Sequence, residues 1–290
     1  MDIVFVILNY NIYKETIDCV ESIYQNLDTK LFHIIIVDNG SSTNAYDILN
    51  EKYKNVPYVT VFQNSTNEGF ARGNNRGITE ARKYNPKYIC CLNNDTVLEQ
   101  KDFFNKLEMV YNIDLPAVIG PQVILKDGRV QHVNKQLMSI EYYKSKIEQL
   151  KNSKKSFSNI KEILLKNRII YEINFLRKKF QKEKKSDYID VILHGCCLIF
   201  TPIFFEKLIG FDERTFLYAE EQLLYIAIKK NGLHNRYSSK IQIRHLEDIS
   251  TKSVKKNNKE KLIFIRENTL KSLLILVQEL EANQDIVCKV

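Results

Sequence analysis

The sequence predicts an α/β fold: a Rossmann-like, mostly parallel central sheet flanked by helices, with a helical basic insertion and a C-terminal helix. Three observations carry that reading. Largely apolar runs at residues 3–8, 32–37 and 88–92 each stop abruptly at Asn or Asp, which is how buried parallel strands with polar carboxyl ends read. The stretches between them repeat apolar residues at three- and four-residue intervals, as amphipathic helices do. Residues 141–187 differ from both, being rich in lysine and free of glycine and proline.

At 290 residues and 44% hydrophobic content, the chain can bury a core as one large or two modest domains. Its net charge of +8 suits an anionic partner: nucleic acid, anionic lipid or nucleotide phosphates. The lysines bunch in the middle third, so the excess need not describe the active site. Six cysteines include two adjacent pairs inside apolar runs and no CxxC spacing, a pattern of buried, reduced thiols in a cytosolic protein rather than a disulfide framework or zinc site. The N-terminus carries Asp2 and no basic leader, so it does not read as a signal peptide. No apolar stretch approaches the roughly 20 residues that span a bilayer.

Residues 3–8 form the first strand, ended by Asn9, Tyr10 and Asn11. Ile17, Val20, Tyr24 and Leu27, with Glu15 in the first turn, set an amphipathic helix. Residues 32–37 supply the second strand, completing the β-α-β unit that opens nucleotide-binding α/β domains. Asp38-Asn39-Gly40-Ser41-Ser42 follows, with Ser and Asn available to cap a helix over 43–53, and 58–62 is the next strand. Residues 64–78 hold three glycines, four asparagines and two arginines before a helix reaching about residue 83. Such a loop-to-helix junction offers N–H groups and guanidinium donors to a diphosphate or a base. It is neither a Walker A nor a GxGxxG sequence, and a glycine-rich turn with surface arginines is the competing reading.

The strand over 88–92 delivers Asn93, Asn94 and Asp95 to its carboxyl end, the edge where ligands sit in open α/β sheets. A carboxylate flanked by two amides can hold a hard divalent cation and leave positions for substrate phosphates; an Asx-type turn explains the same residues without a ligand. A helix over 101–111 and a strand over 117–125 come next. Within 141–187, Ile147, Leu150, Phe157, Ile160, Leu164, Ile169, Ile173, Leu176 and Phe180 fall at helical spacing. Basic amphipathic helices of this kind lie on anionic lipid; the alternative is a solvated arm packed on the domain or on a second copy of the chain, as in a homodimer. Residues 191–200 read as a strand in which Gly195 marks a close approach to the backbone. Gly210-Phe211-Asp212-Glu213 leads into a helix with Glu220 and Glu221 in its first turn and Gly232 as C-cap. A strand over 241–244 runs into His245, which reads as structural unless Asp95 needs a second metal ligand, and a helix over 259–281 closes the chain.

The order of these signals resembles the family-2 inverting glycosyltransferases of the GT-A fold, above all the rhamnosyltransferase-like branch of bacterial polysaccharide synthesis. The carriers are Leu8-Asn9-Tyr10-Asn11, Val37-Asp38-Asn39-Gly40, Asn67-Glu68-Gly69-Phe70-Ala71-Arg72-Gly73-Asn74-Asn75, Asn93-Asn94-Asp95, and Gly210-Phe211-Asp212-Glu213 with Phe216-Leu217-Tyr218-Ala219-Glu220-Glu221. The resemblance implies one domain over 1–290: a nucleotide-sugar half (1–125), the basic insertion (141–187), an acceptor and catalytic half (188–258) and the terminal helix (259–290). It puts the nucleotide base on Asp38 and the rest of the donor on Asn9, Asn67, Gly69, Arg72, Asn75, Asn93 and Asn94. The family's Asp-x-Asp motif is here Asn93-Asn94-Asp95, so Asp95 and His245 are the implied ligands of Mg²⁺ or Mn²⁺, with affinity leaning on the diphosphate. The family's Glu-Asp pair is here Glu220-Glu221, making Glu221 the implied base, one methylene longer than usual, and Glu220 its neighbour; the helix N-terminus is expected to depress a Glu pKa there and keep the base ionised.

The implied reaction is direct displacement of the diphosphate of a UDP- or dTDP-sugar by a hydroxyl of a glycan or lipid-linked saccharide. It would take place in the cytoplasm or at the inner face of the membrane, with no role for nucleic acid. Two rivals remain at this stage. A sugar-nucleotide nucleotidyltransferase would carry a glycine-rich loop with a basic residue after the first strand, where this chain has Leu8-Asn9-Tyr10-Asn11. A non-catalytic anionic-ligand-binding protein built on the basic segment would bind in a steeply salt-dependent way and would leave Asp38, Asp95 and Glu221 unexplained.

Overall fold

The computed structural model describes residues 1–152, 186–246 and 258–283. The first half alternates as the sequence predicts: β1 (Ile3–Asn9), α1 (Tyr13–Asn26), β2 (Phe32–Asp38), α2 (Ala45–Tyr53), β3 (Val59–Gln63), α3 (Gly69–Ala81) and β4 (Tyr88–Asn93). There follow β5 (Thr96–Val97), α4 (Phe103–Asp114), β6 (Val118–Leu125), α5 (Ile140–Asn152), β7 (Tyr188–Ile189), β8 (Cys197–Phe200), α6 (Pro202–Phe205), α7 (Glu220–Lys230), β9 (Asn235–His245) and α8 (Asn258–Glu281). The strands join one sheet in the order β3-β2-β1-β4-β8-β6-β9-β5, with β7 also on β9. The long ladders, among β3, β2, β1 and β4 and between β6 and β9, are parallel; β8 runs antiparallel to both β4 and β6. Residues 118–125 therefore sit between strands of the 188–258 segment.

Both faces of the sheet are covered, which is why its strands are apolar without alternation. Phe5, Ile7, Ile34 and Ile36 point to the layer of Cys19, Ile23, Leu49 and Leu107, while Val4, Val6, Ile35 and Val37 meet Ala71, Ile78, Leu224 and Ile228. A third cluster joins Tyr143 and Ile147 of α5 to Leu223 and Ile226 of α7 and to Leu276, Val277 and Leu280 of α8. Register places the polar strand ends in one row, Asn9 opposite Asp38, Asp38 opposite Gln63 and Leu8 opposite Asn93. Thr96 pairs with His245, so the end of β9 arrives at the same edge.

Several local expectations need correction. The glycine-rich stretch is helix from Gly69 onward, not a loop: a Cβ at Gly73 would lie 2.6 Å from Leu8 Cδ1, and one at Gly77 would strike Val6, so these glycines let α3 press onto β1 despite their poor helix propensity. Of residues 191–200 only 197–200 form a ladder strand; Ile192 makes an isolated bridge to Asn134. Ser41 and Ser42 turn their hydroxyls to Asp38 and Asn11 rather than capping α2, which Asn44 precedes without a side-chain cap. On α1 the buried residues include Cys19, Val20 and Ile23, while Tyr24 lies exposed and stacked on Tyr58. Ile147 and Leu150 are buried in the protein rather than turned toward lipid; the other apolar positions singled out in the basic segment, residues 157–180, lie outside the described residues. Cys19, Cys90, Cys91, Cys196 and Cys197 are buried and free. Among the described residues no helix is long and apolar enough to cross a membrane.

Candidate active site

Asp38 is fully buried at the end of β2 and saturated with donors: Asn9 Nδ2 at 2.7 Å, Ser41 N at 2.9 Å, Ser41 Oγ at 2.6 Å and Gln63 Nε2 at 3.1 Å. Asn9 Oδ1 in turn accepts from Thr16 Oγ1 at 2.8 Å, and Asn94 Nδ2 donates to Thr16 Oγ1 at 3.0 Å and to the Ile12 carbonyl at 3.3 Å. Asn9, Asp38 and Asn94, read separately from the sequence, thus form one network across three strand ends and the start of α1. Buried polar groups in a low dielectric must be satisfied in this way. Asn67 joins the neighbouring loop, its Oδ1 accepting from Asn39 Nδ2 at 3.0 Å and from Gly69 N at 2.9 Å.

Asp95 is nearly as buried, and its Oδ1 lies 3.2 Å from His245 Nε2. His245 Nδ1 is buried without a hydrogen-bond partner among the described residues, so the ring is not held there by a structural bond. No group of three or more His, Cys, Asp or Glu able to hold a metal occurs among the described residues. One carboxylate oxygen and one imidazole nitrogen fit Mg²⁺ or Mn²⁺ shared with a diphosphate, whose oxygens and waters would supply the other positions.

The carboxylate pair is built differently. Glu220 and Glu221 open α7, directly after Tyr218 at φ 77 and Ala219 at φ 66, two consecutive non-glycine residues in the left-handed region, each costing on the order of 1–3 kcal/mol. The Glu221 carboxylate accepts the Gly195 N–H, and a Cβ at residue 195 would lie 2.9 Å from Glu221 Oε1. The close approach expected at Gly195 is therefore that of Glu221. Glu220 is 8% exposed and its Oε1 has no hydrogen-bond partner among the described residues; burial, with the Glu221 charge adding, pushes its pKa up to about 7 against the pull of backbone donors and the Thr215 hydroxyl. The depression expected at a helix N-terminus is outweighed at Glu220 by desolvation.

Both carboxylates face a cavity of ≈ 460 Å³ that Asn93, His194, Gly195, Phe70 and Leu273 also line. His194 was not among the residues singled out from the sequence. Its Nδ1 accepts the Cys196 N–H at 3.2 Å and its ring meets that of His245 edge-on at 5.7 Å. An imidazole breaking an apolar run just before Gly195 was the available signal.

The remaining donor candidates lie against residues 211–216. A Cβ at Gly69, which has φ +83, would run into the Phe216 carbonyl, and Phe70 N donates to that carbonyl at 2.8 Å. Arg72 Nε donates to the Glu213 carbonyl at 3.3 Å from an exposed position. Asn75 accepts from Phe211 N at 2.8 Å and donates to Phe211 O and Glu213 Oε1, both at 2.9 Å.

The sequence profile described as "Glycosyl transferase family 2" matches residues 4–202. Over 115 residues the chain is 30% identical to glycosyltransferase GlyG of Streptococcus pneumoniae serotype 4, covering 38% of this chain and 36% of that one, so it spans about a third of the length of that curated relative. Among solved structures it resembles S. aureus TarS 1-349, with TM-score 0.52, 18% identity, and coverage of 85% of this chain and 60% of that one. It also resembles GalNAc-T7, with TM-score 0.63, 14% identity, and coverage of 98% and 49%. At these identities the structural likeness speaks for the fold, which is GT-A. The family match supports a glycosyltransferase over the nucleotidyltransferase and non-catalytic readings, and because it runs over more than half of the chain, the protein belongs to glycosyl transferase family 2.

Proposed function

We propose that the protein is an inverting, metal-dependent glycosyltransferase that moves a hexosyl or rhamnosyl group from a UDP- or dTDP-sugar to a hydroxyl of a glycan or lipid-linked saccharide, in cell-surface polysaccharide synthesis at the inner face of the membrane. One observation carries the reading: the cavity holding Glu220 and Glu221 has Asn93 in its wall, next in the chain to Asn94 of the network around Asn9 and Asp38, and two residues before Asp95. S. aureus TarS in complex with UDP and with UDP-GlcNAc, and GalNAc-T7 with UDP, GalNAc and Mn²⁺, support a nucleotide-sugar donor on this fold.

In this reading Asp38 and Asn9 organise the rim for the base, and Asn67, Gly69 and Arg72 border the diphosphate. Asp95 and His245 would hold Mg²⁺ or Mn²⁺, which when bound neutralises charge on the departing diphosphate. The Gly195 N–H holds Glu221 Oε1, leaving Oε2 to take the proton of the acceptor hydroxyl as it attacks the anomeric carbon from the face opposite the leaving group. A thermal-shift and turnover screen of UDP- and dTDP-sugars with and without Mn²⁺ tests this. A donor at 100 times its Kd stabilises the fold by about 2.7 kcal/mol; no shift and no released nucleotide with any of them would overturn the reading.

A further inference from the structure

The geometry points to Asn75 and Ser272 as positioning residues that hold the strained turn at residues 217–219, and with it Glu220 and Glu221, between the donor-side helix α3 and the C-terminal helix α8. The inference rests on the proposed role of Glu221 and assigns two residues that act through the backbone.

The segment 211–219 is gripped from two sides. From α3, both polar ends of Asn75 bind the Phe211 backbone, and the Phe70 N–H holds the Phe216 carbonyl. From α8, Ser272, 1% exposed, donates its Oγ to the Leu217 carbonyl at 2.8 Å. The Phe264 ring packs edge-on against Phe216 at 6.0 Å, and Glu279 pairs with Arg214 at 2.8 Å. The Arg214 pair is half-exposed and contributes little; the Ser272 bond is buried, where an abandoned carbonyl is costly. Tyr218 and Ala219 follow at positive φ, a conformation that persists only where the surroundings over-determine it.

Releasing either grip lets that turn relax toward ordinary φ and swings the two carboxylates relative to Gly195 and the cavity. This also separates two roles for Asn75. A residue that touches the donor weakens donor binding when truncated; a residue that only holds the turn leaves donor affinity alone and lowers the rate of the step that Glu221 serves.

The test uses Asn75→Ala and Ser272→Ala in the full chain, with whichever UDP- or dTDP-sugar the wild type turns over. Each variant should lose about tenfold to a hundredfold in kcat at saturating substrates, as small misplacements of reacting groups do, while donor Kd stays within about twofold. Amide hydrogen exchange at residues 217–222 should accelerate in both variants, with β1, β2 and β4 unchanged as the check on folding. A donor Kd raised about tenfold in Asn75→Ala at wild-type kcat would make Asn75 a donor ligand and overturn the assignment. Wild-type kcat and exchange in Ser272→Ala would remove the α8 grip. If the wild type turned over no nucleotide sugar, that would count against the proposed function alone, and the exchange measurement would still decide whether the grip exists.

Discussion

The edge around Asp38 and the carboxylate pair at the start of α7 are both buried and polar, yet they are held in opposite ways. Asp38 meets four donors from its own sheet and loop, and Asn9 and Asn94 complete the network through Thr16. Glu220 keeps an oxygen without a partner among the described residues and follows two residues at positive φ. The first region is assembled by the fold itself and is finished before any ligand arrives. The second stores desolvation and strain in place of hydrogen bonds. Substitutions at the edge should therefore cost stability first, and substitutions at the pair should cost rate first.

The largest expected effect lies at Asp95, whose side chain bonds to His245. Asp95→Asn removes the only carboxylate of Asn93-Asn94-Asp95 and should abolish metal-dependent turnover while leaving the urea midpoint near wild type; full activity with saturating substrates would sink the metal assignment. His245→Ala should raise the metal concentration needed for half-maximal rate, with a smaller loss. Glu221→Gln comes next: the amide can still accept the Gly195 N–H but cannot take a proton, so the transfer rate should fall by roughly 10²–10⁴-fold with donor affinity unchanged. If the loss follows Glu220→Gln instead, the base is the other member of the pair.

Asn9→Ala sharpens the contrast from the stable side. It takes a donor from Asp38 and an acceptor from Thr16, and should lower unfolding free energy by about 1–3 kcal/mol in urea titrations; an unchanged midpoint would mean that the edge is not held together as described. The smallest effect is a pH dependence. Glu220 titrates at about 7 in the fold against an ordinary 4.5, so the folded state keeps a proton that the unfolded chain gives up. Stability should thus fall as pH rises from about 4.5 to about 7 and stay at the lower level above. Glu220→Gln does not share that loss, and its melting temperature relative to wild type should be higher at about pH 8 than at about pH 5. A gap independent of pH would show that burial does not govern this carboxyl.

How legible each region was follows from where its information resides. Asn9, Asp38 and Asn93, with Asp95 two residues on, announce themselves because a strand buried on both faces must be apolar until it ends, so the first polar residue after the apolar run marks the edge. That Asn9, Thr16 and Asn94 bond to one another depends on which strands pair, and no spacing along the chain records it. Gly73 and Gly77 read as loop because propensity is local, whereas their reason is the side chains of Leu8 and Val6 on another element. Gly195 signalled a close approach but could not name Glu221 as the group that approaches. The turn at Tyr218 and Ala219 carried no signal at all, since neither residue favours positive φ; the grip from α3 and α8 puts them there.

The buried thiols give the molecule a built-in reporter of its own opening. Burial raises the pKa of Cys19 to about 12 and pushes Cys90, Cys91 and Cys196 well above their ordinary value, and Cys90 and Cys197 sit 3.7 Å apart, Sγ to Sγ, between β4 and β8. Only a thiolate reacts at a useful rate. Alkylation of these positions under native conditions should therefore proceed only through molecules that have opened around them, and its rate counts such excursions without a denaturant.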